Sequence, residues 1–186
     1  MLKQFFGGSD VAKPRSDSVY AAIVALARQP WLYSQAGVPD TVSGRFDMIV
    51  LHLALLIERL RQDEPGGGAL AQAVLDTMFA DMDRSLREMG VGDLSVAKQM
   101  RAMAGVYFGR AVAYREAFAA AEPAQAVAAV LARNLHPAAP PPAAELARLS
   151  RHAVAFRAAL AATPVETLAN GMLPDLVPEP ADGAAP

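Results

Sequence analysis

An all-α fold, an irregular helical bundle followed by an Ala-rich helical appendage, is predicted by three observations. Strand signals are nearly missing, with neither β-branched runs nor two-residue hairpin turns between them. Apolar residues recur at i, i+3, i+4 spacing along most of the chain. The main proline- and glycine-bearing stretches separate these periodic segments, which is where helices must stop.

The elements follow in order. Asp17 or Ser18 can cap a first helix whose Val19, Ile23, Val24, Leu26 and Ala27 share a face, and Pro30 ends it because proline lacks the amide that the helical ladder uses. Trp31-Leu32-Tyr33 forms a short aromatic turn before a glycine-bearing stretch that runs from Gly37 to Asp47. Ser43 is expected to cap a second helix over 45–61, apolar around most of its girth, which predicts a central place in the bundle or a second face kept for a partner. Pro65-Gly-Gly-Gly68 interrupts it. A third helix over 69–88 ends where Gly90 suits a left-handed cap. Asp93 or Ser95 opens the longest helix, 96–121. Helices over 124–135 and 144–162 flank a proline linker at 136–143, and Thr163-Pro-Val-Glu166 reads as a capping box for a last short helix. The predicted organisation is a flexible N-terminus (1–15), a helical domain (16–121), a helical appendage (122–173) and a disordered Pro/Ala/acidic tail (174–186).

Composition narrows the function. The chain of 186 residues has a formal net charge of −2 and no cysteine, so neither a global basic field for nucleic acid nor thiolate chemistry is available. No secretory signal or mitochondrial presequence is recognised at the N-terminus, and the longest apolar stretch, 48–60, is interrupted by His52, Glu58 and Arg59. It falls short of the ~20 residues of a spanning helix.

No catalytic kit assembles. His52 lacks a histidine or carboxylate at ligand spacing and reads as a core residue. Asp81, Asp83, Glu88 and Asp93 spread around a helix and read as a solvated face paired with Arg84 and Arg87. Ser43, Ser85 and Ser95 have no nucleophile-elbow context, and Gly90-Val-Gly92 lacks the preceding strand of a phosphate loop. Met78, Met82, Met100 and Met103 either fill an irregular core or line an adaptable groove, rimmed by Arg84, Arg87, Lys98, Arg101, Arg110 and Arg115.

Two long motifs resemble the ubiquinol–cytochrome c chaperone family. One runs from Tyr20 through Trp31-Leu-Tyr33 and Gly37-Val-Pro-Asp-Thr41 to Gly44-Arg-Phe-Asp-Met48 and Leu51-His52. The other is Leu86-Arg-Glu-Met-Gly-Val-Gly-Asp-Leu-Ser-Val-Ala-Lys98, with Tyr107-Phe-Gly-Arg110 and Tyr114 beyond it. The resemblance covers Tyr20 to Phe118 and none of the appendage. It implies a non-enzymatic assembly chaperone that binds newly made cytochrome b, supports assembly of the respiratory reductase, visits the ribosome exit region and the membrane surface, and carries no cofactor. The Ala/Pro/Arg-rich composition suggests a bacterial member, cytoplasmic and peripheral at the inner face of the inner membrane. A groove between the second and fourth helices is the expected client site, with Trp31, Tyr33, Phe46, Leu51, Leu55, Met100, Met103, Tyr107 and Phe108 as apolar contacts and Arg45, Arg87, Lys98 and Arg110 as polar ones. The alternative is a peripheral membrane module that senses lipid or quinone in the same pocket.

Overall fold

The computed structural model describes residues 12–63, 66–135, 141–174 and 176. Their regular structure is helical throughout: α1 (Ala12–Ala27), α2 (Pro30–Ser34), α3 (Val42–Arg61), α4 (Gly67–Glu88), α5 (Asp93–Phe118), α6 (Pro123–Leu135), α7 (Ala143–Ala162) and α8 (Val165–Ala169). The tail beyond 176 and most of the proline linker lie outside the described residues.

Helix α3 is the axis of the fold, as its all-round apolarity requires. Every residue from Asp47 to Ile57 is buried, because α1, α4, α5 and α7 pack against different sides of it. Met48, Val50, Leu51, Leu53, Leu56 and Leu60 lose all contact with solvent, each contributing about 1.5–3 kcal/mol by burial. Helices α6 and α7 pair with one another, and their Val127, Leu131, Leu149, Phe156 and Leu160 join the same core as the side chains of α1 and α4.

Polar contacts fix how the helices meet. The Arg110 guanidinium of α5 donates to the buried Asp47 carboxylate of α3. At the other end of α3, Arg59 donates to the carbonyls of Leu160 and Thr163, and Arg157 of α7 pairs with Glu58 at 3.1 Å. The helix ends differ in detail from the sequence expectation. Helix α1 starts at Ala12, ahead of the Asp17/Ser18 cap. Thr41, not Ser43, caps α3, its hydroxyl accepting from the Gly44 amide at 3.1 Å. Gly44 is required there, since a Cβ would collide with the Pro39 carbonyl. Gly90, with φ +80°, supplies the left-handed residue that ends α4. The predicted capping box does not form: Thr163 turns its hydroxyl back to the Ala159 carbonyl at 2.8 Å, and Pro164 occupies the cap position of α8. Among the described residues no helix is long and apolar enough to cross a membrane.

Candidate functional site

Three features of the surface and core bear on function. The first is the corner formed by α1, α2 and the start of α3. The Trp31 indole is buried, donating to Gln29 Oε1 at 2.6 Å. Tyr33 donates its hydroxyl to the Ala27 carbonyl at 2.5 Å, which ties the aromatic turn to the end of α1. The Arg45 guanidinium lies over the Tyr33 ring, 5.7 Å from its centroid, and its Nε donates to Asp40 at 2.8 Å. That hydrogen bond holds the Asp40 carboxyl below the usual carboxylate range, whereas burial pushes the Tyr33 phenol up. An open cleft of about 450 Å³ results, lined by Arg28, Pro30, Tyr33, Ser34, Asp40 and Arg45.

The second feature is the seam between α3 and α5. The groove expected here is filled. Leu51 and Leu55 of α3 and Tyr107 of α5 are at most 2% exposed, so they are core residues and not a contact surface. The reason lies in α5, whose Val96, Tyr107, Tyr114 and Phe118 recur at helical spacing and seat against the bundle. Met100, Met103, Phe46 and Arg110 are half-buried along the same inner side, and Met78 is wholly enclosed. Burial pushes the Tyr107 and Tyr114 phenols up to about 12. Burial also raises the Asp47 carboxyl, outweighing the Arg110 guanidinium beside it.

The third feature is the outer face of α5. Leu94, Arg101, Gly105, Phe108 and Val112 lie at spacings of seven, four, three and four, which aligns them on one stripe. All five are exposed, Leu94 by 92% and Phe108 by 51%. Phe108 is not adrift; its ring is 5.2 Å from that of Tyr107 and 6.4 Å from that of Phe79, so an aromatic base in the core holds it at the surface. A Cβ on Gly105 or Gly109 would meet nothing within 4 Å. Internal packing therefore does not ask for glycine at either place, although each costs about 1 kcal/mol relative to alanine in a helix. Arg101 within the stripe, and Lys98 and Arg115 beside it, have no acidic partner among the described residues. Arg87, by contrast, is committed to Asp83 and Asp93, pinning the turn from α4 into α5.

Of the residues predicted to contact a client, Phe108 and Lys98 thus stand on this open face, and Arg45, Tyr33 and Arg87 are accessible elsewhere. Trp31, Leu51, Leu55 and Tyr107 are structural. The acidic residues of α4 behave as a solvated face: Asp81 accepts from Arg84 and from the Tyr20 hydroxyl, and Asp83 pairs with Arg87. Among the described residues no group of three or more histidines and carboxylates is placed to hold a metal ion.

One pair, the buried His52 with the half-buried His152, escaped sequence reasoning. His52 Nε2 lies 2.9 Å from His152 Nε2, and His52 Nδ1 donates to the Met48 carbonyl at 2.7 Å. With that proton on Nδ1, the bare Nε2 of His52 accepts from the Nε2–H of His152. The Trp31 ring meets His152 edge-on at 4.8 Å and Phe156 stacks against it. His152 sits in an Ala-rich helix a hundred residues away, so no local spacing could announce it.

The sequence pattern of the ubiquinol-cytochrome C chaperone family matches residues 34–176. The chain belongs to this family. The match reaches from the Tyr33–Gly44 loop region through α8, so it takes in the C-terminal helices that the motif resemblance had left out. The family is one of chaperones rather than enzymes. A curated relative in Xenopus laevis, ubiquinol-cytochrome-c reductase complex assembly factor 1, is 23% identical over 117 residues, 63% of this chain. The aligned part is 58% of that relative's own length. The crystal structure of the Cbp3 homolog from Brucella abortus superposes with a TM-score of 0.78 at 38% identity, covering 95% of this chain and 97% of that one.

Proposed function

We propose that this chaperone-family chain shelters apolar helices of cytochrome b during assembly of ubiquinol–cytochrome c reductase, and that it does so on the outer face of α5. The carrying observation is the stripe Leu94–Val112: exposed apolar side chains on a rigid helix, with two glycines that leave room for a second backbone to come close. A membrane-protein helix gains little from leaving lipid for another apolar surface, so close backbone approach over small residues supplies the van der Waals contact that holds it. Lys98, Arg101 and Arg115 would meet acidic loops of the client or the anionic membrane surface, which supports an encounter at the cytoplasmic side.

The test uses substitutions that the fold tolerates. At Gly109 a Cβ meets no neighbour within 4 Å and glycine is a poor helix former, so thermal stability of Gly109→Leu should stay the same or rise. It should nonetheless block docking and lower cytochrome b accumulation in membranes. Phe108→Ala should act similarly through loss of the exposed ring. Tyr107→Ala, in contrast, should cost about 3–5 kcal/mol of stability, as a core deletion does. Normal cytochrome b levels with folded Gly109→Leu protein at normal abundance would refute the α5 face as the client surface.

A further inference from the structure

The cleft at the α1–α2 corner gathers charge that the fold does not use. Arg28, just after α1, is exposed, and its guanidinium has no hydrogen-bond or acidic partner among the described residues. Arg45 is held in place by its Nε bond to Asp40 and by the Tyr33 ring beneath it, and both of its terminal amino groups remain without a partner among the described residues. It also stands in the first turn of α3, a 20-residue helix with no acidic residue in that turn. A cation there opposes the positive end of the helix dipole. Asp40 neutralises one of the two guanidinium charges, and the cleft keeps a net positive charge in addition to that of the helix end. Its volume of about 450 Å³ lies within the ~300–1,000 Å³ typical of small-molecule sites.

We infer that this cleft binds a phosphate group carried on a phosphomonoester or phosphodiester, with the fork of Arg45 and the guanidinium of Arg28 as its two arms. A preorganised guanidinium meets two oxygens of an anion side by side, which is the strong geometry for this pair. A carboxylate would be satisfied by Arg45 alone. A tetrahedral phosphate has further oxygens to offer to Arg28, which lines the same cleft from the turn after α1. The Tyr33 hydroxyl is already engaged with Ala27, so the ring contributes a platform and not a competing polar group. This site stands apart from whatever α5 binds, and its test does not involve cytochrome b.

The same chemistry is available from a phospholipid headgroup and from a soluble phosphate, and two probes separate them. The full-length protein is incubated with vesicles of phosphatidylcholine, with and without phosphatidylglycerol, and bound protein is measured by co-sedimentation. In parallel, its melting temperature is followed as inorganic phosphate replaces chloride at constant ionic strength. Arg28→Gln and Arg45→Gln are compared with Arg133→Gln, an exposed arginine of α6 away from the cleft. Removing either cleft arginine should weaken binding about fivefold, the scale of one cation at an anionic surface, while Arg133→Gln leaves it unchanged. A response to phosphatidylglycerol vesicles alone assigns the site to a lipid headgroup, and a saturable response to inorganic phosphate assigns it to a soluble ligand. No saturable response to either probe, or an equal loss from Arg133→Gln, overturns the site. The exposed Arg28 guanidinium has no hydrogen-bond or acidic partner among the described residues, so its variant keeps the fold and the result stays interpretable.

Discussion

Acidification should loosen the attachment of α7 to α3, because both rings sit where burial disfavours charge and a proton on His52 Nε2 removes the acceptor that His152 uses. Burial lowers His52 from 6.5 to about 4, and burial together with the neighbouring His52 lowers His152 to about 3. The unfolded chain, with ordinary histidines, takes up protons near pH 6.5 that the folded chain refuses. Stability from the pair is therefore complete above about pH 6.5 and falls as pH drops toward 4. At about 1.4 kcal/mol per pH unit, each of the two histidines accounts for roughly 3 kcal/mol between pH 6.5 and pH 4.5. Urea denaturation at pH 7.5 and pH 4.5 measures the loss, and His152→Gln separates it from carboxylate titration. Glutamine keeps an N–H for His52 Nε2 but takes up no proton, so the variant should lose about 3 kcal/mol less than wild type between the two pH values. Equal losses in the two proteins, or an imidazole signal for His52 titrating near pH 6.5 by NMR in the folded state, would refute the assignment of a buried neutral pair.

Two further outcomes follow from side chains already placed. Arg110→Met leaves the buried Asp47 carboxylate unpaired and should cost about 3–5 kcal/mol by urea denaturation, whereas the double variant with Asp47→Asn should recover much of that loss. Gly44→Ala drives a methyl into the Pro39 carbonyl and should destabilise the start of α3, while Gly105→Ala should raise stability by about 1 kcal/mol in the same thermal assay.

Much of the fold was readable because helices carry their own periodicity. The girth of α3, with apolar residues at almost every turn position from Ile49 to Leu60, announced a helix packed on all sides, and the structure surrounds it with four others. The Gly90 cap was legible for the same local reason. Contacts chosen between equivalent local options were not. Thr41 and Ser43 are both good caps, and only the approach of Gly44 to Pro39 selects Thr41. Thr163 had an Ala159 carbonyl within reach and took it instead of closing a box. The face proposed for the client overlaps the sequence reading only in part. Phe108 and Lys98 could be named from their motif, but the α3–α5 groove was placed on the inner side of α5 because Met100, Met103 and Tyr107 line it. An apolar residue on a helix does not say which side meets the core when both sides are apolar, and Leu94, Val106, Phe108 and Val112 make α5 such a helix.

The position of His152 against His52 has a consequence for synthesis. Helix α3 is translated about a hundred residues before the segment that covers its last open side. At roughly 5–20 residues per second, the most deeply buried helix among the described residues waits about 5–20 s for its lid. A protein whose family tends other chains therefore leaves the ribosome in need of protection itself, and chains cut short before Leu149–Leu160 should clump instead of folding.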